Sequence, residues 1–125
     1  MIFNNWDVNQ AEVFQFMGTT FDVREAKRIL KAFPRETEKV PVSVLKQFLP
    51  KRGKLSLAVG IDWKLIDAAK ETPGIIDLKI PLIIATLKTS SLPIDGWHRA
   101  MLAVETKIRI LPCVHLTSEE TEQIM

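Results

Sequence analysis

Asp95-Gly96-Trp97-His98-Arg99 places a carboxylate, a glycine, an imidazole and a guanidinium within five consecutive positions. The segment stands between the apolar run Ile80 to Leu87 and the apolar stretch Ala100 to Val104, where a short strand is expected to turn into a helix. The first turn of a helix carries N–H groups with no intrahelical acceptor and a partial positive charge, so it can hold a phosphate. His98 and Arg99 in that turn oppose the helix dipole unless an anion, or Asp95 as an N-cap, offsets them. In a phosphate site Gly96 lets the backbone approach closely and Arg99 binds phosphate oxygens bidentately. Asp95 and His98 then move a proton or position a metal or hydroxyl. An Asp-Gly turn followed by a capped helix, with Trp97, Ala100, Met101 and Val104 facing the core, uses the same residues with no ligand.

The surrounding elements must hold this turn. Asp22-x-x-Glu25 has the spacing of a capping box, and Ala26, Ile29, Leu30 and Phe33 follow at helical intervals before Pro34 stops the pattern. Met1 to Gly18 shows no clean period and is expected to hold one or two short strands. Pro34 to Pro41 is polar and charged and reads as an exposed connection. Leu45, Phe48 and Leu49 then repeat helically up to Pro50, and Lys51-Arg52-Gly53-Lys54 forms a basic turn. Asp62 caps a further helix carrying Leu65, Ile66 and Ala69, which Pro73-Gly74 ends. From Ile75 the chain becomes rich in Ile, Leu and Val. Ile75 to Leu87 and Ile108 to Leu116 are each compatible with a buried strand, with Leu92-Pro93-Ile94 ending another. Thr117-x-x-Glu120 opens a last short helix. Helices first and strands later predict a small α+β or α/β domain whose sheet lies mostly in the second half.

Composition narrows the function classes. At 125 residues with 46% hydrophobic and 26% charged positions, the chain has the make-up of one soluble globular domain. Its longest apolar stretch is far short of a bilayer span and Met1 to Asp7 lacks the pattern of a secretion signal, so no membrane association and a cytoplasmic location are expected. Cys113, the single cysteine, cannot form an intrachain disulfide and reads as a small core residue. His98 and His115 have no Cys or His partner at ligand spacing, which argues against structural zinc. A net charge of +2, with Lys and Arg scattered, permits nucleic-acid contact without pointing to it.

The order of these segments resembles the ParB/sulfiredoxin superfamily. Ile80-Pro81-Leu82-Ile83-Ile84, a loop, Leu92 to Arg99, a helix with Ala100 and Ala103, and Ile110-Leu111-Pro112-Cys113-Val114 match its succession of strand, strand with a Gly-x-x-Arg phosphate turn, helix and strand. Thr37 to Leu45 is similar to the extended piece and short helix that lead into it. The resemblance implies a mixed sheet flanked by helices, with residues 34–125 as the nucleotide-binding core and residues 1–33 as an N-terminal extension packed on it. It is nearest to the free-serine kinase branch. It then implies Glu38 as general base, Asp95 and His98 as phosphoryl-transfer residues, and Gly96, Trp97, His98 and Arg99 as the phosphate cradle. ATP, ADP or CTP with Mg²⁺ is the implied ligand, although no metal ligand is identifiable from spacing. Trp97 stands where sulfiredoxins carry their catalytic cysteine, so sulfinic-acid repair is not implied. The helix-turn-helix and dimerisation domains of chromosome-partition ParB proteins are not expected within these 125 residues. The alternative reading is a DNA-associated module, non-enzymatic or nuclease-like, acting with DNA or a protein partner.

Overall fold

A computed structural model describes residues 1–52 and 60–125. The chain runs β1 (Val13–Phe16), β2 (Thr19–Asp22), α1 (Val23–Ala32), β3 (Glu38–Pro41), α2 (Val42–Leu45), a 3₁₀ turn (Lys46–Phe48), α3 (Trp63–Glu71), β4 (Leu82–Thr86), β5 (Ser91–Asp95), α4 (Trp97–Glu105), β6 (Ile110–His115) and α5 (Ser118–Ile124). It is an α+β fold. β1 and β2 form an antiparallel hairpin, and the other strands form a four-stranded sheet in the order β3-β6-β4-β5. β4 pairs parallel with β6 and antiparallel with β5, while β3 pairs antiparallel with β6.

Local chemistry accounts for most of these boundaries. Asp22 caps α1 by accepting the Glu25 N–H at 3.0 Å, and Asp62 caps α3 by accepting that of Leu65 at 3.2 Å. Thr117 and Glu120 complete a reciprocal capping box on α5. The β1–β2 turn places Met17 and Gly18 at φ 49° and 81°, the left-handed pair that a two-residue hairpin needs. Leu82 through Ala85 are all buried on both faces of β4, which requires cover on each side of the sheet. α1 packs with α5, and α5 with β4, whereas α4 packs with α2 and α3.

Two expectations are corrected. The strand begins at Leu82 and not at Ile75: residues 75–81 form turns, with Ile80 donating to the Asp77 carbonyl at 3.3 Å. Pro34 to Pro41 is more than a connection, because its second half is strand β3, paired to β6 from Glu38↔Cys113 to Pro41↔Ile110. Residues 1–33 pack on the rest of the domain. Trp6, Phe21, Val23, Ala26, Ile29 and Leu30 belong to the same buried cluster as the sheet residues Leu82, Ile94 and Val114. A smaller cluster of Ile66, Ala69, Met101 and Leu102 joins α3 to α4. Among the described residues, no helix is long and apolar enough to cross a membrane.

Candidate functional site

Gly96 turns β5 into α4. It adopts φ 103°, a left-handed conformation that favours glycine, and a Cβ there would stand 2.7 Å from Leu82 Cγ and 3.1 Å from Arg99 Nη2. Gly96, and not Asp95, is the N-cap, and among the described residues no side chain caps this end of the helix. The first intrahelical bond runs from the Ala100 N–H to the Gly96 carbonyl at 2.9 Å. The N–H groups of Trp97, His98 and Arg99 therefore have no acceptor inside the helix.

Asp95 is the last residue of β5 and turns its carboxylate onto Arg99, whose Nη2 donates to Oδ2 at 3.0 Å. Arg99 Nη1 donates to the Ile80 carbonyl and, at 2.8 Å, to that of Pro81. With its side chain only 12% exposed, Arg99 ties the start of α4 to the chain entering β4. Lys27 of α1 approaches Asp95 Oδ2 to 4.0 Å and also pairs with Glu12. A line of alternating charges, Glu12, Lys27, Asp95 and Arg99, thus connects the N-terminal region to the turn. The His98 ring accepts the Asp62 N–H on Nε2 at 2.9 Å. The Nε2 lone pair is engaged by that bond.

Trp97 lies in the core. Its ring stacks near Phe14 at 6.3 Å between centroids and meets Phe48 edge-on at 5.9 Å. Its Nε1–H is buried and has no hydrogen-bond partner among the described residues. An orphaned buried donor of this kind costs about 1–3 kcal/mol unless something supplies an acceptor.

These residues line a cleft of about 520 Å³. Residues 94–99 form one wall, Glu12, Val13, Phe14 and Lys27 another, and Ile75 to Asp77 a third. Its cations are Lys27 and Arg99, and its carboxylates are Asp7, Glu12, Asp77 and Asp95. The fixed charges therefore do not favour a bare anion. Among the described residues no three His, Cys, Asp or Glu side chains cluster to hold a metal ion.

Glu38 does not join this site. It lies on β3, at the far edge of the sheet from β5, and its carboxylate pairs with His115 Nδ1 at 2.5 Å. Three inter-strand steps separate it from Asp95, roughly 14 Å at ordinary strand spacing. A general base acting on a ligand at Gly96 cannot be delivered from there. Cys113 is buried, and loss of solvation, with the Glu38 charge adding to it, pushes its thiol up to about 11. Arg52 of the basic turn is committed to structure: it stacks 4.6 Å over Trp63 and pairs with Asp67 at 2.9 Å and Glu105 at 2.6 Å. Hydrogen bonds from Arg52 and Lys70 hold the Glu105 carboxyl below its usual range. Gly53 and Lys54 of that turn lie outside the described residues.

Lys27, Glu12 and the orphaned Trp97 donor were not legible in the sequence. Their only signal is Lys27 flanking the apolar stripe of α1, and a lysine there is ordinarily solvated. No family model, curated protein or solved structure matches this chain.

Proposed function

We propose that the cleft at the N-terminus of α4 binds the Mg²⁺ complex of a nucleotide. The observation that carries this reading is the first turn of α4 in the cleft wall: the N–H groups of residues 97–99 have no acceptor inside the helix and, among the described residues, no side-chain cap. Phosphate oxygens satisfy such donors. The excess of carboxylates over cations favours a phosphate that arrives with its own divalent cation. Mg²⁺ is commonly held by substrate phosphates and one or two carboxylates, and Asp7 and Asp77 are the cleft carboxylates outside the Asp95 pairing. The nucleotide as ligand class comes from the resemblance to the ParB/sulfiredoxin superfamily.

Binding is favoured over turnover. Asp95 is engaged by Arg99, and the His98 Nε2 lone pair is spent on Asp62, so neither is free to take a proton as the site stands. Phosphoryl transfer or hydrolysis is the second reading, favoured by the position of Asp95 in the cleft wall.

Thermal unfolding with ATP, ADP and CTP, each with and without Mg²⁺, tests both readings. A ligand at a hundredfold its Kd adds roughly 2.7 kcal/mol, a rise of several degrees in Tm for a domain of this size. Val13 is exposed and lines the cleft, so Val13→Trp fills part of it with little effect on folding. A Mg²⁺-dependent rise that Val13→Trp removes is expected; no rise with any nucleotide sinks the proposal. Phosphate release above background, lost in Asp95→Asn, would move the reading to the enzyme. Salt-dependent binding of duplex DNA without a nucleotide effect would replace it by the DNA-associated module.

A further inference from the structure

A second concavity, of about 540 Å³, opens where the end of β3 and the start of α2 face the segment between α4 and β6. Its chemistry differs from that of the first. Val104, Ile108 and Ile110 supply apolar surface, and Ile108 and Ile110 stand exposed to solvent at 36% and 51%. Lys46, Lys107 and Arg109 bring three cations to the rim, and no Asp or Glu lines it. None of the three forms a salt bridge with a carboxylate among the described residues. With no acid among the lining residues to offset them, the three leave the groove with a net positive charge.

We propose that this groove binds a small amphiphilic anion, an aliphatic chain ending in a carboxylate. The chain lies on Val104, Ile108 and Ile110, and the head sits among Lys46, Lys107 and Arg109. Charge complementarity decides the occupant. A second copy docking face to face about a two-fold axis would bring the same three cations against themselves, which is repulsive. An extended peptide finds few backbone donors on this rim, since Pro41 has no N–H and that of Val42 is spent on the Arg109 carbonyl at 2.8 Å. A volume of this size lies within the range of small-molecule sites.

Two-dimensional ¹H–¹⁵N spectra of the full chain, titrated with sodium octanoate, octan-1-ol and sodium acetate, test the proposal. Octanoate is expected to shift amides of residues 42–46 and 104–110 saturably, with octanol and acetate each about tenfold weaker or more, because each lacks one half of the recognition. The double variant Lys107→Gln/Arg109→Gln is expected to weaken octanoate by about tenfold while the remaining spectrum stays unchanged. Lys107 and Arg109 are exposed and unpaired, so this variant should fold. Octanol binding as tightly as octanoate, unsaturable shifts spread over the whole chain, or full octanoate affinity in the variant would each overturn it.

Discussion

At position 96 the backbone leaves no room for a side chain. The left-handed φ and a Cβ set 2.7 Å from the buried Leu82 Cγ act together, and Leu82 cannot retreat because it is enclosed in the central strand. Gly96→Ala is expected to destabilise the fold by about 2–4 kcal/mol in urea unfolding. A loss under half a kcal/mol would show that the turn relaxes freely. Arg99 makes a contrasting case, because it was expected to face a phosphate and the structure gives its fork to two carbonyls and Asp95. Lysine cannot reproduce that planar fork. Arg99→Lys should therefore cost about 1–3 kcal/mol without any ligand present, by the same measurement. Were the residue purely a ligand contact, stability would stay at the wild-type level. Cys113 follows from burial alone: with its thiol raised to about 11, it should resist a thiol reagent at pH 8 in the native protein and react on unfolding.

Among the elements, α4 does the positioning. Its first turn is fastened in three directions: to β5 through Asp95, to the approach of β4 through Arg99, and to α3 through His98. His98 accepts the N–H of Asp62, which is itself the N-cap of α3, so one imidazole aligns two helix starts. Replacing it with alanine frees that N–H and uncouples the two starts. His98→Ala is expected to cost about 0.5–1.5 kcal/mol, with hydrogen exchange at the start of α3 rising more than in the central strands. Equal changes across the whole molecule would mean that His98 does not act locally. Helix caps were readable because capping is local: Asp22, Asp62 and Thr117 each bond an N–H three residues on. The β4 boundary was not readable. Ile75 to Leu87 is apolar throughout, and the turns at 75–81 depend on where the Arg99 guanidinium draws the Ile80 and Pro81 carbonyls, nineteen and eighteen residues away.

Across the whole molecule, the pairing of Arg35 with Glu120 joins segments 85 residues apart. Both guanidinium nitrogens engage the carboxylate, at 2.5 and 2.8 Å, and Glu120 also accepts the Thr117 N–H in the α5 cap. The hydrogen bond from Arg35, against the cost of burial, holds the Glu120 carboxyl below its ordinary value of 4.5. A carboxyl lowered in the folded state stabilises it above the unfolded value, and that contribution disappears as pH falls through the folded value. Glu120→Gln should therefore be less stable than wild type by about 1–2 kcal/mol at pH 7, and the gap should close as pH drops below 4.5. A gap independent of pH would assign the effect to packing. The α+β class, the caps of α1, α3 and α5 and the burial of Cys113 followed from the sequence by itself, because each rests on periodicity, composition or contacts within a few residues. Tertiary structure alone decided that Glu38 stands across the sheet with His115, that Lys27 and Glu12 reach the turn, and that Arg99 serves the backbone. Strand order and helix packing set those distances, and neither is written in the spacing of residues along the chain.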